Sequence, residues 1–258
     1  MMLTRSLCCF RGISATAERK LWRAGCLSWA DFARIGTRLS PRKAADLARQ
    51  WPAAKAALAG RVADYFLTRL PVGCRTRVWP DVGAGMAFLD VETTGLGPRD
   101  APAIFGIWQA GRLRQFVAGR DLEALLECWR GIEVLATFGG TRFDVPVVAR
   151  TFRLSCRPPH IDLMHEARAY GYVGGLKAIE RALGIRRSAD EEGDGETAAR
   201  LSRRWLEHGD AAALSRLLLY NARDVRTLPI LAHRLLRRSF DAYPGPLPAW
   251  QDLLYIAS

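Results

Sequence analysis

Residues 86–95 read MAFLDVETTG, an apolar run that ends in two acidic residues. A short, nearly continuous apolar run of this kind predicts a buried strand. Because side chains i and i+2 of a strand point to the same face, Asp90 and Glu92 project together and Val91 points away. Two adjacent carboxylates repel each other, and a divalent cation with oxygen ligands would relieve that repulsion. The alternative is a strand end with two solvated acids, since the DxE pattern alone is common.

A further acidic residue, Asp144, lies in the stretch FGGTRFDVP, residues 138–146. This stretch follows a predicted buried strand and begins a predicted helix with Pro146 in its first turn. Asp144 is therefore either the N-cap of that helix or part of the carboxylate group. The N-cap interpretation does not explain the double glycine at 139–140 or the accompanying Phe143.

The stretch YNARD, residues 220–224, places a tyrosine and an acid on one helical face. Tyr220 and Asp224 are four residues apart, so they are neighbours on the helix surface. An apolar stripe that includes Leu217 and Val225 predicts that the same helix packs on the core. An acid beside such a stripe is costly to bury unless it is paired or bound to a metal. An exposed acid on the rim of the helix remains the alternative.

The order of predicted elements indicates an α/β protein. Five apolar segments, MAFLDV, AIFGIWQ, RLRQFVA, IEVLATF and PHIDLM, have the composition of strands. The first three follow one another as hairpin-like strands, and the last two alternate with helices. This order predicts a mixed five-stranded sheet with helices on both faces.

The basic charge is concentrated in the first third of the chain. The net charge is +12, and residues 1–83 hold 15 basic and 5 acidic side chains. Most of these basic residues are arginines, whose guanidinium groups bind phosphate well. The alternative explanation is a coding bias that places solvated arginines on helix faces. The same residues are predicted to be helical: Ser28 caps the segment WADFARI, Ser40-Pro41 begins a second helix, and Trp51-Pro52 begins another that runs to about Leu70.

Three units follow from this organisation. We expect a basic helical domain with its linker at 1–83, the α/β domain at 84–240, and a Pro-rich tail at 241–258; the linker itself is predicted over 71–85. The six cysteines form no C-x-x-C pair, which indicates reduced thiols and not disulfides or a zinc site. No signal peptide or membrane span is recognisable, so we expect a cytoplasmic protein without membrane association.

The three acidic motifs together, in the order DxE, FDxP and YxxxD, are far more specific than any one of them. They resemble the motifs of DnaQ-like 3′–5′ exonucleases, the DEDD group, in the variant with tyrosine in the third motif. The nearest resemblance is to the YprB-like ribonuclease H-like exonuclease family, over about residues 86–236. The segment FRGISATAERKLWRAGCLSWADFAR also resembles a helix–hairpin–helix module found before such domains.

This resemblance implies a ribonuclease H-like fold and a set of roles. Two Mg²⁺ or Mn²⁺ ions, about 4 Å apart, would bind the carboxylates and clamp the attacking and leaving oxygens of a phosphodiester. Tyr220 would orient the attacking water, and Glu92 would help to position it. The ligands implied for the ions are Asp90, Glu92, Asp144 and Asp224; the residues implied or weighed for substrate contact are Thr93, Thr94, Leu96 and Lys177.

The sequence departs from the family at two places. Gly139 stands where the second motif usually carries Asn, and the first module reads Gly12-Ile13-Ser14 in place of Gly-Ile-Gly. Asp162 is either a residue that positions the metal ligands through hydrogen bonds or a cap at the end of its strand.

The expected activity is metal-dependent 3′–5′ hydrolysis of single-stranded nucleic acid, with the helix–hairpin–helix resemblance favouring DNA over RNA. The alternatives are a structure-specific endonuclease on the same fold, a weakly active nucleic-acid-binding module of a repair complex, and a protein in which the acids are unrelated. The oligomeric state is not predicted by the sequence.

Overall fold

A computed structural model describes residues 1–32, 40–97, 99–186 and 195–247. Five strands form one mixed sheet: β1 (Met86–Thr93), β2 (Pro102–Gln109), β3 (Arg112–Val117), β4 (Val134–Thr137) and β5 (His160–Asp162). The strand order is β3-β2-β1-β4-β5, with β1 at the centre. The first three strands are antiparallel, and β4 and β5 run parallel to β1 and to each other. The predicted mixed sheet flanked by helices is therefore confirmed, and its order is that of a ribonuclease H-like fold.

The helices cover both faces of this sheet. Numbered over the described residues, they are α1 (Ala15–Arg23), α2 (Pro41–Ala59), α3 (Ala63–Leu67), α4 (Trp79–Val82), α5 (Leu125–Trp129), α6 (Asp144–Phe152), α7 (Leu163–Arg168), α8 (Leu176–Ala182), α9 (Gly195–His208) and α10 (Ala211–Ser239). No helix among them combines the length and apolar character that crossing a bilayer requires.

Alternation along β1 divides the core into two layers. Ala87, Leu89 and Val91 face the layer that contains α5 and α6. Met86 and Phe88 face the opposite layer, which contains the later part of α10 and the N-terminal helices. Asp90 and Glu92 share the parity of Met86 and Phe88, so they project towards α10.

The N-terminal residues pack onto the sheet. Phe10 makes edge-to-face contacts with Trp29 and Phe32 and stacks against Trp51. This aromatic group belongs to the same continuous core as Phe88 of β1. The division of the chain into separate domains at residue 83 stays a prediction.

Two predicted boundaries differ in the structure. Trp51-Pro52 does not begin a helix: α2 runs through Pro52 to Ala59, and α3 is a separate short helix. Proline removes one backbone hydrogen-bond donor from the helix. Trp51 beside it packs on Phe32 and Trp29, and the helix continues through this point. The predicted linker at 71–85 forms short helical turns with Val78 and Trp79 buried.

The predicted caps of the N-terminal helices are largely observed. Ser40 caps α2 with Pro41 in the first turn, and Ser28 forms a capping box with Asp31. The remainder of the segment WADFARI, residues 33–35, lies outside the described residues, as does the tail from residue 248. Ser14 caps α1 by accepting a hydrogen bond from the Ala17 amide, after a turn at Gly12 with φ +91°. A capping hydroxyl thus occupies the position at which the helix–hairpin–helix pattern has glycine.

Arg77 joins the N-terminal residues to the end of α10. Its guanidinium forms a buried ion pair with Glu18 at 2.8 Å and donates to Ser239 Oγ at 3.1 Å. It also lies over the Phe240 ring, 4.2 Å from the centroid. A buried charge of this kind is tolerated because its partner and its hydrogen bonds are in place.

We expect Arg77→Met to lower the free energy of unfolding by about 3–5 kcal/mol, because it leaves the Glu18 carboxylate buried without its cation. Urea denaturation measures this difference. The matched control is Arg49→Met, which removes an exposed pair with Asp46 and should cost less than about 1 kcal/mol. Equal effects of the two substitutions on the free energy of unfolding would contradict a stabilising role for the buried pair. Glu18→Gln combined with Arg77→Met should recover part of the stability that Arg77→Met loses.

Candidate metal centre

The centre of β1 carries the first two acidic side chains of the site. Asp90 pairs across the sheet with Gly106 of β2, and Gly106 in turn pairs with Gln115 of β3. Glu92 is 6% exposed. Because both carboxylates point towards α10, side chains of α10 surround them on this face of the sheet.

Gly106 allows α10 to approach the sheet at this point. A Cβ atom at Gly106 would lie 2.1 Å from Asn221 Oδ1 and 2.7 Å from a methyl group of Val225. Asn221 occupies the space above the glycine. Its Nδ2 donates to Asp90 Oδ2 at 2.9 Å and to the Asp90 carbonyl at 3.2 Å, while its Oδ1 accepts from Gln115 Nε2 at 3.0 Å. The amide therefore holds Asp90 in place and is itself oriented by Gln115.

The same helix brings the third acid into the group. Asp224, one helical turn after Asn221, is 8% exposed. One ligand oxygen from each of Asp90, Glu92 and Asp224 can be chosen so that all three lie within 4.8 Å of one another. Oxygens gathered at this spacing form a donor set suited to a hard divalent cation.

Asp144 reaches the site from the opposite layer. It is the first residue of α6, it is 5% exposed, and its Oδ1 accepts a hydrogen bond from the Val91 amide at 3.0 Å. Gly140 makes room for it, since a Cβ there would lie 2.7 Å from Asp144 Oδ2 and 2.3 Å from Thr137 Oγ1. The second glycine of the FGG motif is thus required by close approach to this carboxylate.

Asp162 organises the loop that leads to Asp144. Its carboxylate accepts from the Gly139 amide at 2.8 Å and the Thr141 amide at 3.1 Å, and it caps α7 through the Met164 amide at 3.1 Å. Burial raises the pKa of Asp162, but the hydrogen bonds from Thr141 and Gly139 outweigh it and leave the pKa below its ordinary value. Gly139 has φ +73°, a left-handed conformation that glycine adopts freely and asparagine tolerates. The loop is therefore braced by Asp162 where the family motif has an asparagine side chain.

Burial raises the pKa values of three of these acids, and neighbouring charges add to the effect. Burial, followed by the charges of Glu92, Asp224 and Asp144, raises the pKa of Asp90 well above its ordinary value. Burial and the charge of Asp224 raise the pKa of Glu92 to about 8. Burial raises the pKa of Asp144 to about 7, against the hydrogen bonds from its own amide and that of Val91. These shifts favour protonation or the binding of cations.

One oxygen of the group is left for an external partner. Within the described residues, Glu92 Oε1 is buried and has no hydrogen-bond partner. A buried carboxylate oxygen without a partner costs free energy, which a bound cation would remove. The residues present therefore fit a divalent metal, with Asp90, Glu92 and Asp224 as the nearest ligands and Asp144 beside them.

Tyr220 and Lys177 lie against each other. Tyr220 is half-buried on α10, one turn before Asp224. The Lys177 ammonium lies over its ring, 5.2 Å from the centroid, a cation–π contact. The roles of Tyr220 and Lys177 towards a substrate stay predictions.

The loop after β1 presents an exposed leucine. Asp100 braces this loop by accepting from Thr94 Oγ1 at 3.0 Å and from the Gly97 amide at 2.6 Å, and Thr93 Oγ1 donates to the Gly95 carbonyl. Leu96 is 87% exposed at its tip. The loop thus presents an apolar side chain to solvent four residues after Glu92 in the chain.

Sequence reasoning missed the positions that support the acids. It assigned no role to Asn221, Gln115, Gly106 or Gly140. Asn221 had a usable signal, since it lies three residues before Asp224 and shares its helical face. The roles of Gly106 and Gln115 depend on sheet register and helix docking, which a single sequence does not specify.

Comparison with known proteins identifies the family. A family model described as RNase_H superfamily (RNase_H_2) matches residues 87–236, more than half of the chain. Among solved structures, the family B DNA polymerase from the hyperthermophilic archaeon Pyrobaculum calidifontis is similar, with TM-score 0.48 and 16% identity over 67% of this chain and 27% of that one. The chain thus spans about a quarter of the polymerase's length.

Brucella melitensis NrnC is also similar, with TM-score 0.34 and 21% identity over 66% of this chain and 93% of that one. NrnC with bound Mg²⁺ gives TM-score 0.34 and 20% identity over the same shares of the two chains. No curated protein shows a significant match.

Gly106→Ala tests whether the close approach of α10 holds the site together. The added methyl group would force Asn221 away from Asp90, so we expect a loss of about 1–3 kcal/mol in unfolding free energy and weaker Mn²⁺ binding by calorimetry. Gly131→Ala is the matched control, because the nearest atom to its Cβ, the Cys128 carbonyl oxygen, lies at 3.7 Å. Mn²⁺ affinity unchanged in Gly106→Ala would show that α10 does not set the metal site.

The pH dependence of the metal-free protein tests the carboxylate repulsion. The folded pKa of Glu92 is about 8, above its ordinary value of 4.5. The stability associated with Glu92 is therefore fully present below pH 4.5 and is lost as the pH rises through about 8. In EDTA, the melting temperature should fall over this range, less steeply in Glu92→Gln, and Mn²⁺ should restore it in the unmutated chain but not in Glu92→Gln.

Glu166→Gln is the control for this measurement. Burial raises the pKa of Glu166 to about 7, against hydrogen bonds from the Gly73 and Arg75 amides. The stability associated with Glu166 is therefore lost over a pH range that overlaps with that of Glu92. Glu166 lies outside the carboxylate group, so Glu166→Gln should flatten the pH profile while retaining stabilisation by Mn²⁺. Parallel pH profiles for Glu92→Gln and the unmutated chain would contradict the repulsion argument.

Proposed function

The chain belongs to the RNase H superfamily, and on that premise we propose that it is a divalent-metal-dependent 3′–5′ exonuclease acting on single-stranded nucleic acid. The observation that carries this proposal is the convergence of Asp90, Glu92 and Asp224 within 4.8 Å, with Asp144 hydrogen-bonded to the intervening Val91 amide. Three separate parts of the chain contribute these acids. A purely structural explanation gives no reason to bury them together, because burial of unneutralised carboxylates is unfavourable.

The proposed cofactors are two Mg²⁺ or Mn²⁺ ions held by Asp90, Glu92, Asp144 and Asp224. Bound there, such ions would neutralise the carboxylates and the phosphodiester and lower the pKa of a coordinated water. Asn221 would keep Asp90 in its ligand orientation through the 2.9 Å hydrogen bond to Oδ2. The loop braced by Asp162 would do the same for Asp144, so Asp162 acts as a positioning residue.

The residues around the carboxylates suit the other parts of the reaction. Tyr220 would orient the attacking water through its hydroxyl, and the Lys177 ammonium beside its ring would contact a phosphate oxygen. Leu96, together with Thr93 and Thr94 in the braced loop, would receive the terminal base.

The basic N-terminal residues would supply affinity without sequence preference. Among the described residues of this region, the following nine cationic side chains are exposed: Arg11, Arg19, Lys20, Arg23, Arg42, Lys43, Arg49, Lys55 and Arg61. Contacts of this kind to a phosphate backbone weaken steeply with salt. The proposed preference for DNA, like the proposed place in the YprB-like family, rests on the sequence resemblance described above.

The test is degradation of a 5′-labelled single-stranded oligonucleotide, DNA and RNA in parallel, with Mn²⁺, Mg²⁺ or EDTA. We expect a metal-dependent ladder that shortens from the 3′ end, and loss of about a thousandfold or more in rate for Asp90→Ala and Asp224→Ala, because charge neutralisation is worth several kcal/mol. Asp64→Ala, which removes an exposed acid far along the chain from the motifs, should retain full activity.

The same assay separates the alternatives. Cleavage of a circular single strand would favour an endonuclease on this fold. Tight binding without metal-dependent shortening would leave a binding module as the better description. The salt dependence of KM, measured on the active chain, reports whether the exposed cations contact the substrate.

A further inference from the structure

Cys8 and Cys74 form a buried thiol pair far from the carboxylates. Cys8 lies in the helical turn Leu7–Cys9, and Cys74 directly precedes the turn Arg75–Val78. Their sulfur atoms and one oxygen of Glu18 all lie within 4.8 Å of one another. A disulfide joins two sulfurs at about 2 Å, so a bond between Cys8 and Cys74 requires these side chains to close the remaining distance.

The surroundings of the pair favour thiol chemistry over metal binding. Arg77 Nη1 lies 3.4 Å from Cys8 Sγ and 2.8 Å from Glu18 Oε2. The other Glu18 oxygen accepts from the Cys8 amide at 2.9 Å. Glu18 is therefore fully engaged, and a metal ion would have to displace the guanidinium that already neutralises it.

The two thiols are not equivalent. The hydrogen bond from the Cys8 thiol lowers the pKa of Cys74 below its ordinary value, and the Arg77 charge adds to this against the effect of burial. The hydrogen bond to Cys74 and burial raise the pKa of Cys8 well above its ordinary value. An attacking thiolate beside a thiol that can resolve it is the arrangement that disulfide formation requires.

A cavity gives small molecules access to one member of the pair. It has a volume of about 380 Å³ and is lined by Cys74 and Arg77, with Arg19 and Val72 among its exposed residues. The neighbouring Cys9 does not line this cavity, and its thiol donates to the Ser6 carbonyl at 2.9 Å. Access therefore selects Cys74 as the first site of reaction.

We propose that Cys8 and Cys74 are a redox-active pair that forms a reversible disulfide on reaction with a hydroperoxide. The Cys74 thiolate attacks one oxygen of hydrogen peroxide, the O–O bond breaks, and the departing hydroxide takes a proton to become water. Cys74 is then a sulfenic acid. The Cys8 sulfur then attacks the Cys74 sulfur, so that an S–S bond forms and the S–O bond of the sulfenic acid breaks. The oxygen leaves as a second water with the Cys8 proton. The two sulfurs together lose two electrons, and the peroxide gains them.

The experiment uses the full chain with Cys156→Ser, which removes the one exposed cysteine and leaves five of the six free thiols. One equivalent of hydrogen peroxide should lower the thiol count, titrated after unfolding, from five to three. A thiol reductant should restore it to five. Peptide mapping with fragmentation between Cys8 and Cys9 should locate the bond between Cys8 and Cys74.

Cys74→Ser in the same background should keep all four of its remaining thiols after peroxide treatment, whereas Cys26→Ser should still lose two. A thiol count that stays at five, or a bond that maps to Cys9, would overturn the proposal. Zinc bound stoichiometrically to the purified chain and released on thiol alkylation would overturn it in favour of a metal site. The mapping on the Cys156→Ser chain decides the outcome even where a buried substitution impairs folding.

Discussion

The site depends on placing several carboxylates around the centre of β1 against their mutual repulsion. Burial raises the pKa of each acid for which a shift is resolved, so the surrounding structure must hold the group together. It does so through two contacts: the Val91 amide of β1 donates to Asp144 at the start of α6, and Asn221 of α10 donates to Asp90. The glycines at 106 and 140 follow from this constraint, because each lies where another side chain must approach the acids.

The fold was largely predictable because its strands are short apolar runs between clear turn signals. The three acidic motifs were visible for a similar reason, since each joins an acid to residues that a simple cap or solvated face does not need. What escaped prediction depends on contacts between distant segments. The sequence predicts a helix start at Trp51-Pro52, because the cost of proline inside a helix is evident in sequence while the aromatic packing of Trp51 is not. The segment 71–85 has the composition of a linker, yet Trp79 packs edge-to-face on Phe88 of β1.

The long helix α10 connects two parts of the molecule that the sequence presents as separate. It carries Asn221 and Asp224 over the sheet and ends at Ser239, which receives a hydrogen bond from Arg77. Asp224 and Ser239 are fifteen positions apart along the helix, about 22 Å, with Pro229 between them. The N-terminal residues pack on the C-terminal end of this helix, where Arg77 contacts Ser239 and Phe240. The basic N-terminal region therefore has a structural role whether or not it contacts a phosphate backbone.

The chain thus buries a group of carboxylates around Glu92 and the single carboxylate of Glu18 in different surroundings. Around Glu18, both carboxylate oxygens are occupied, one by Arg77 and one by the Cys8 amide. Around Glu92, Oε1 lacks a hydrogen-bond partner within the described residues. A cluster neutralised by its own arginine gains little from a cation, whereas one with an unoccupied oxygen is stabilised by binding it. Both groups of residues contain ligand atoms at a spacing that suits a metal ion. The difference in their free oxygens assigns metal chemistry to the carboxylates around β1 and thiol chemistry to the sulfur atoms beside Arg77.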